Sequence, residues 1–209
     1  MIYVGLPTYD GRIEHTTVGG LLTTMLYCGK HGIGIAVDVI PHDAFIGRAR
    51  NLMAKRFLEC GASDLVFIDA DIGFCVDDFI KLMQADGDIV CGAYRYKKDE
   101  LAWPHMEYQP VEKKGDLIRL HHAGCGFMRI KRNVFERIKK SNPDNVYRDD
   151  VHGDTYDFFP AGRIDNKFYG EDIIFCKSAE QLGFKIWGLQ GLNLKHTGSK
   201  TWAAAWSAE

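Results

Sequence analysis

Several things are scarce in this 209-residue chain, and each scarcity excludes something. Six cysteines stand at 28, 60, 75, 91, 125 and 176, and no two form a Cys-x-x-Cys pair. Most have apolar neighbours, so the expectation is buried free thiols in a reducing cytosol rather than a disulfide framework. Neither sign of charge dominates: 26 Lys and Arg face 28 Asp and Glu. A nonspecific nucleic-acid binder would show a basic field, and there is none. No apolar run approaches the roughly 20 residues of a membrane helix. The first residues, Met1-Ile2-Tyr3-Val4-Gly5-Leu6-Pro7, carry no basic segment before their apolar stretch. A strand, not a signal peptide, is expected there, and a cytoplasmic location with it. No internal repeat and no second core are visible, so residues 1–209 are read as one domain.

What is present is alternation. Ile2–Leu6 reads as a strand, Thr16–Gly29 as a helix weakened by Gly19-Gly20, and Ile33–Ile40 as a strand. A helix from about Ala44 to Cys60 is stopped by Gly61. Leu65–Ile68 reads as a strand buried on both faces, because polar alternation is missing. Val76 to about Ala85 is the next helix and Asp88–Gly92 the next strand. This half, 1–93, predicts a sheet wound with right-handed crossovers. The second half, 94–198, is irregular. Strands are expected at Leu117–His122, Cys125–Ile130, Phe184–Leu189 and Leu192–Lys195. Helices are expected at Arg132–Lys140 and from Gly170 to about Leu182. The polar stretch 141–165 reads as a functional or disordered loop. A tail, 199–209, carries Trp202 and Trp206, which either cover a site or simply pack.

Three constellations carry chemistry. Asp69 and Asp71 follow the buried strand at i, i+2 and converge on one side. Carboxylates that close repel each other unless a cation lies between them, and a hard divalent ion suits them. A Walker B strand would also end this way. It needs a Gly-x-x-x-x-Gly-Lys-Ser/Thr loop, and the sole Gly-Lys, Gly29-Lys30, is followed by His31. Gly170-Glu171-Asp172 places two acids at a helix start, where one could accept a proton from an incoming hydroxyl. His196 would complete an Asp/Asp/His set that suits manganese better than magnesium.

Taken in this order, the three resemble the GT-A glycosyltransferases, close to the family 2-like members, over nearly the whole chain. Phe67-Ile68-Asp69-Ala70-Asp71 resembles that family's Asp-x-Asp (DXD) motif. Ala123-Gly124-Cys125-Gly126-Phe127 resembles its glycine-containing strand beside the sugar, and Pro7-Thr8-Tyr9 the loop that holds the nucleoside. The resemblance implies an α/β fold: a single-domain GT-A unit with a Rossmann-like nucleotide-binding half and a mixed, mostly parallel sheet flanked by helices. It implies a metal-dependent, hexosyltransferase-type enzyme. Such an enzyme moves a sugar from a nucleotide-diphosphate-sugar donor to a hydroxyl acceptor (glycan, lipid or protein).

Asp69, Asp71 and His196 would hold Mn2+ or Mg2+. Asp172 would be the base, with Glu171 as the alternate. Donor contacts would come from Pro7, Thr8, Tyr9, Asp69, Ala70, Asp71, Gly124 and Gly126. Arg48 and Asn51 join them as the polar pair of one helix face, Arg95 as part of the loop after the fourth strand, and Lys200 as a cation near the diphosphate. Two alternatives stand beside this reading. One is a sugar-1-phosphate nucleotidyltransferase, which needs a glycine-rich loop that Pro7–Arg12 lacks. The other is a noncatalytic nucleotide-sugar or glycan-binding module of the same fold.

Overall fold

The computed structural model describes residues 1–207; the last two residues of the expected tail lie outside the described residues. Strand β1 (Ile2–Thr8) is buried along its length. It is followed by α1 (His15–Lys30), β2 (Ile35–Pro41), α2 (Ile46–Cys60) and β3 (Asp64–Ile68). The two-residue β4 (Ile72–Gly73) leads to α3 (Val76–Gln84) and β5 (Ile89–Gly92). Then come β6 (His105–Glu107), β7 (Lys113–Lys114), β8 (Leu117–Ala123), β9 (Phe127–Lys131) and α4 (Arg132–Ser141). Two hairpins, β10 (Val146–Asp149) with β11 (Gly153–Tyr156) and β12 (Gly162–Ile164) with β13 (Lys167–Tyr169), precede α5 (Glu171–Gln181). The strands β14 (Ile186–Leu189), β15 (Lys195–Thr197) and β16 (Thr201–Ala203) follow.

Local chemistry explains most boundaries. α2 stops at Gly61, whose φ of 73° suits a residue without Cβ. α3 starts with a box in which Asp78 accepts from the Cys75 backbone N–H at 3.0 Å. Gly20 is tolerated inside α1 because the helix presses on the Phe74 carbonyl, which an added Cβ would meet at 2.6 Å.

The main sheet has nine strands in the order β2-β1-β3-β9-β5-β14-β8-β6, with β7 also on β8. β1, β2 and β3 are mutually parallel, as are β5 and β14. The mixed sheet expected from the sequence is therefore present, but three of its strand pairings are parallel and five antiparallel, where mostly parallel pairing was expected. β9 lies antiparallel between β3 and β5, so the first half does not close its own sheet. The apolar run of β9 is buried on both faces, which lets it take the centre.

Alternate residues of β3 feed two cores. Leu65 and Phe67 join Met53, Phe57, Phe135 and Phe175 of α2, α4 and α5 on one face. Val66 and Ile68 join Leu21, Phe79 and Leu82 of α1 and α3 on the other.

The stretch from 141 is neither disordered nor structureless. It forms the two hairpins, the second turning through Asp165 and Asn166 at positive φ, a backbone these side chains tolerate better than most. Four of the six free thiols are buried; Cys60 and Cys75 are exposed. Trp202 and Trp206 are 9% and 5% exposed, so they pack rather than cover a site. Among the described residues no helix is long and apolar enough to cross a membrane.

Candidate active site

β1 and β3 run parallel, so their carboxyl ends open side by side. A cleft of about 410 Å³ lies there. Pro7, Thr8 and Tyr9 line it from β1, and Asp69, Ala70 and Asp71 from the turn after β3. This is the edge at which α/β sheets take ligands. A larger hollow of about 690 Å³ lies elsewhere, among Lys81, Lys114 and Trp206, and contains neither carboxylate of the pair. Asp69, Asp71 and Lys97 line the smaller cleft, which makes it the better candidate; His196, Glu171 and Asp172 are not among its lining residues.

Asp71 and His196 meet because β15 pairs with β4, setting His196 opposite Ile72. The Thr197 N–H donates to the Asp71 carbonyl at 2.9 Å and locks that turn. His196 Nε2 stands 3.6 Å from Asp71 Oδ1. Its Nδ1 is 2.9 Å from the Arg95 carbonyl, which can only accept, so Nδ1 carries the proton. In the neutral ring, Nε2 then turns a lone pair toward a carboxylate oxygen. Two facing donors of electron pairs fit a cation between them, and the second-nitrogen bond orients the ring for it. On Oδ2 of Asp71 sits the Lys97 ammonium, at 2.5 Å. Burial works to raise the Asp71 pKa, but Lys97 and, when its ring is protonated on both nitrogens, His196 outweigh it and bring the carboxyl below its ordinary value.

Asp69 does not join that pair. Its Oδ1 accepts from Arg50 Nη2 at 2.9 Å, and Arg50 Nη1 is bonded to Glu171 Oε1. Among the described residues no three His, Cys, Asp or Glu side chains gather as a metal set. The expected triad of Asp69, Asp71 and His196 is thus reduced to Asp71 and His196, because a buried guanidinium has claimed Asp69. Arg50 is 2% exposed. Burial opposes its charge, and Asp69 and Glu171 among its neighbours outweigh burial. Glu171, read from the sequence as the alternate base, is accordingly engaged in an ion pair with Arg50.

Asp172 is different. It makes no ion pair among the described residues; its Oδ1 accepts the Ile173 N–H at 2.7 Å. Burial pushes its carboxyl above the ordinary range. The Ile173 N–H and Arg50 pull it down, and Asp69 pushes it up. A carboxyl poised upward is suited to taking a proton.

Other expected residues have other work. Asn51 is buried and structural: its Oδ1 accepts from the Phe158 and Phe159 N–H groups at 2.9 Å, and its amide donates to Asp157. Arg48 is exposed and bonded to Asp43 at 2.9 Å. Both line a neighbouring hollow of about 440 Å³ with Glu171 rather than the cleft itself. Arg95 turns its guanidinium onto the carbonyls of Lys98, Asp99 and Glu100, and Lys200 is paired with Asp99. An added Cβ at Gly124 or Gly126 would meet the Tyr94 hydroxyl at 2.5 or 2.6 Å, and at Gly126 also Asp69 Oδ2 at 2.8 Å. These glycines make room for Tyr94 and Asp69.

Sequence reasoning weighed the stretches 48–51 and 94–98 and chose Arg48, Asn51 and Arg95 from them, not Arg50, Lys97 or Tyr94. Arg50 had a signal. It stands with Met53, Ala54 and Phe57 at i, i+3, i+4 and i+7, on the apolar stripe, where a charge needs partners. Lys97 and Tyr94 had only their place in the loop after the fourth strand, because contacts distant in sequence set their partners.

No family model matches this chain, and no curated protein does. Among solved structures, A197 from STIV is 19% identical, with 95% of this chain and 86% of that one covered and a TM-score of 0.60. A Drosophila beta-1,4-galactosyltransferase 7 mutant, solved with manganese, UDP-Gal and xylobiose, is 11% identical, covers 91% of this chain and 66% of that one, and scores 0.48. The inositol-1-phosphate CTP transferase from T. maritima is 9% identical, covers 93% and 88%, and also scores 0.48. The chain shares the fold of A197, a mixed sheet flanked by helices, as the α/β expectation required.

Proposed function

We propose that this protein is a glycosyltransferase that moves a hexose from a nucleotide-diphosphate-sugar donor to a hydroxyl acceptor. The observation that carries the reading is the Arg50 bridge. One buried guanidinium joins Asp69, at the cleft, to Glu171, beside Asp172. It ties the donor end of the site to a carboxyl whose proton affinity is raised. In this reading residues 1–93 form the nucleotide-binding half and 94–198 the acceptor side, within one domain.

Pro7, Thr8 and Tyr9 would flank the nucleoside, and Asp71 with His196 would hold a divalent ion, Mn2+ or Mg2+. When bound, that ion supplies charge neutralisation to the leaving diphosphate. Lys97 adds a second positive charge at the same end. Asp172 takes the proton from the acceptor hydroxyl. The hydroxyl oxygen forms a bond to the anomeric carbon as the bond to the diphosphate oxygen breaks, and the electron pair leaves with the diphosphate. Arg50 holds Asp69 and Glu171 in ion pairs on either side of it.

The nucleotidyltransferase alternative requires attack on a phosphorus by a sugar phosphate, with no role for a hydroxyl base at Asp172. The test is single-turnover transfer by Asp172→Asn. The expected outcome is donor binding within about twofold of wild type and transfer slowed by about 10²–10⁴-fold. Transfer at the original rate would remove Asp172 as the base.

A further inference from the structure

We propose that the acceptor is an anionic saccharide, one bearing a phosphate or carboxylate, held on a cluster of His121, His122, Lys167 and Lys177. The inference rests on the glycosyltransferase reading and names the class of its acceptor.

The cluster is assembled from three elements. β13 brings Lys167 and Tyr169, β8 brings His121 and His122, and α5 brings Lys177. Lys167 Nζ lies 5.3 Å and Lys177 Nζ 4.6 Å from the centroid of the Tyr169 ring, so two ammonium groups share one aromatic face or edge. The Cys176 thiol lies 3.9 Å from the Ala123 carbonyl, which seats α5 on the end of β8 and brings Lys177 toward His122. The His121 ring stacks on Tyr108. Tyr169 stands directly before Gly170-Glu171-Asp172, the start of the helix that carries the proposed base.

The charge there is unbalanced. His122 is half-buried, and burial lowers its pKa; His121, Lys177 and Lys167 lower it further, and only Glu180 acts the other way. Glu180 is already engaged, because its Oε1 accepts from Arg119 and from the Tyr108 hydroxyl, each at 2.8 Å. Among the described residues no carboxylate forms an ion pair with Lys167 or Lys177. Lys97, which lines the donor cleft, and Lys200 are treated differently: Lys97 is paired with Asp71, and Lys200 with Asp99. Cations gathered without counter-charge raise the local concentration of anions. A phosphate or carboxylate would supply the missing charge, and the Tyr169 ring offers a face to the sugar.

The test is calorimetric binding of glucose 6-phosphate, glucuronate and glucose to the full chain. Wild type is compared with the Lys167→Met/Lys177→Met double variant. The expected result is at least about tenfold tighter binding of both anionic sugars than of glucose in wild type. The double variant should lose that preference while keeping nucleoside diphosphate binding with Mn2+ unchanged. Equal affinity for the three sugars in wild type overturns the proposal. So does a preference that survives in the double variant, which would assign the anion to the donor end. Binding of anionic phospholipid vesicles that the double variant loses, without any sugar-phosphate preference, would make the patch a membrane contact and also overturn it. Loss of nucleoside diphosphate binding in wild type would instead strike the glycosyltransferase reading, independently of these outcomes.

Discussion

Arg50 is the residue whose removal the site would feel most. Its guanidinium satisfies two carboxylates and lies 5.7 Å from the Phe67 ring centroid. Arg50→Met would leave Asp69 and Glu171 half-buried without a counter-charge. The expected loss is about 3–5 kcal/mol in urea unfolding. Asp172 predicts the opposite sign. Its folded pKa is raised, so the native state favours the protonated form. The stability that this contributes is full below the ordinary carboxyl pKa and is lost as pH rises through the raised folded value. Asp172→Asn should therefore match wild type near pH 3 and exceed it in stability near pH 7, in urea melts at the two pH values. The catalytic cost and the stability gain of this one change would identify a carboxyl kept for function rather than for folding. Asp69 and Asp71 stood out in the sequence because they follow a buried apolar run, and Asp172 and His196 because each lies two residues from a glycine. The partner that each takes was not legible, because Arg50 reaches Asp69 from 19 residues away and Glu171 from 121.

At the level of elements, the sequence showed where strands and helices lie better than how strands pair. The βα alternation through β5 was readable from apolar runs and their stops. The insertion of β9 between β3 and β5 was not, since pairing is set by contacts distant in sequence and a strand buried on both faces carries no directional mark. The stretch from 141 looked structureless because its hairpins are short and polar. What fixes them lies elsewhere: Asn51 of α2 binds the Phe158 and Phe159 N–H groups, and Lys55 binds the His152 and Asp154 carbonyls. Asn51→Ala would leave two buried N–H groups unpaired. An expected destabilisation of about 2–4 kcal/mol follows, checked by urea unfolding, with hydrogen exchange at Phe158 and Phe159 rising first. The same substitution should leave nucleotide affinity unaltered, because Asn51 does not line the cleft at Asp69 and Asp71.

At the scale of the molecule, one sheet separates two apolar cores and opens its parallel strand ends on a cleft. Every strand that supplies a residue of the donor cleft belongs to that sheet or to the small β16-β15-β4 sheet. The central claim is that the cleft at Asp69-Ala70-Asp71 takes a nucleoside diphosphate together with a divalent ion. The direct measurement is calorimetric titration of UDP, GDP, ADP and CDP, with and without Mn2+, into wild type and Asp71→Ala. The account predicts that at least one diphosphate binds wild type, that Mn2+ tightens it at least about tenfold, and that Asp71→Ala loses the metal-dependent part. No binding of any diphosphate in either metal state, or an Asp71→Ala titration indistinguishable from wild type, would contradict it.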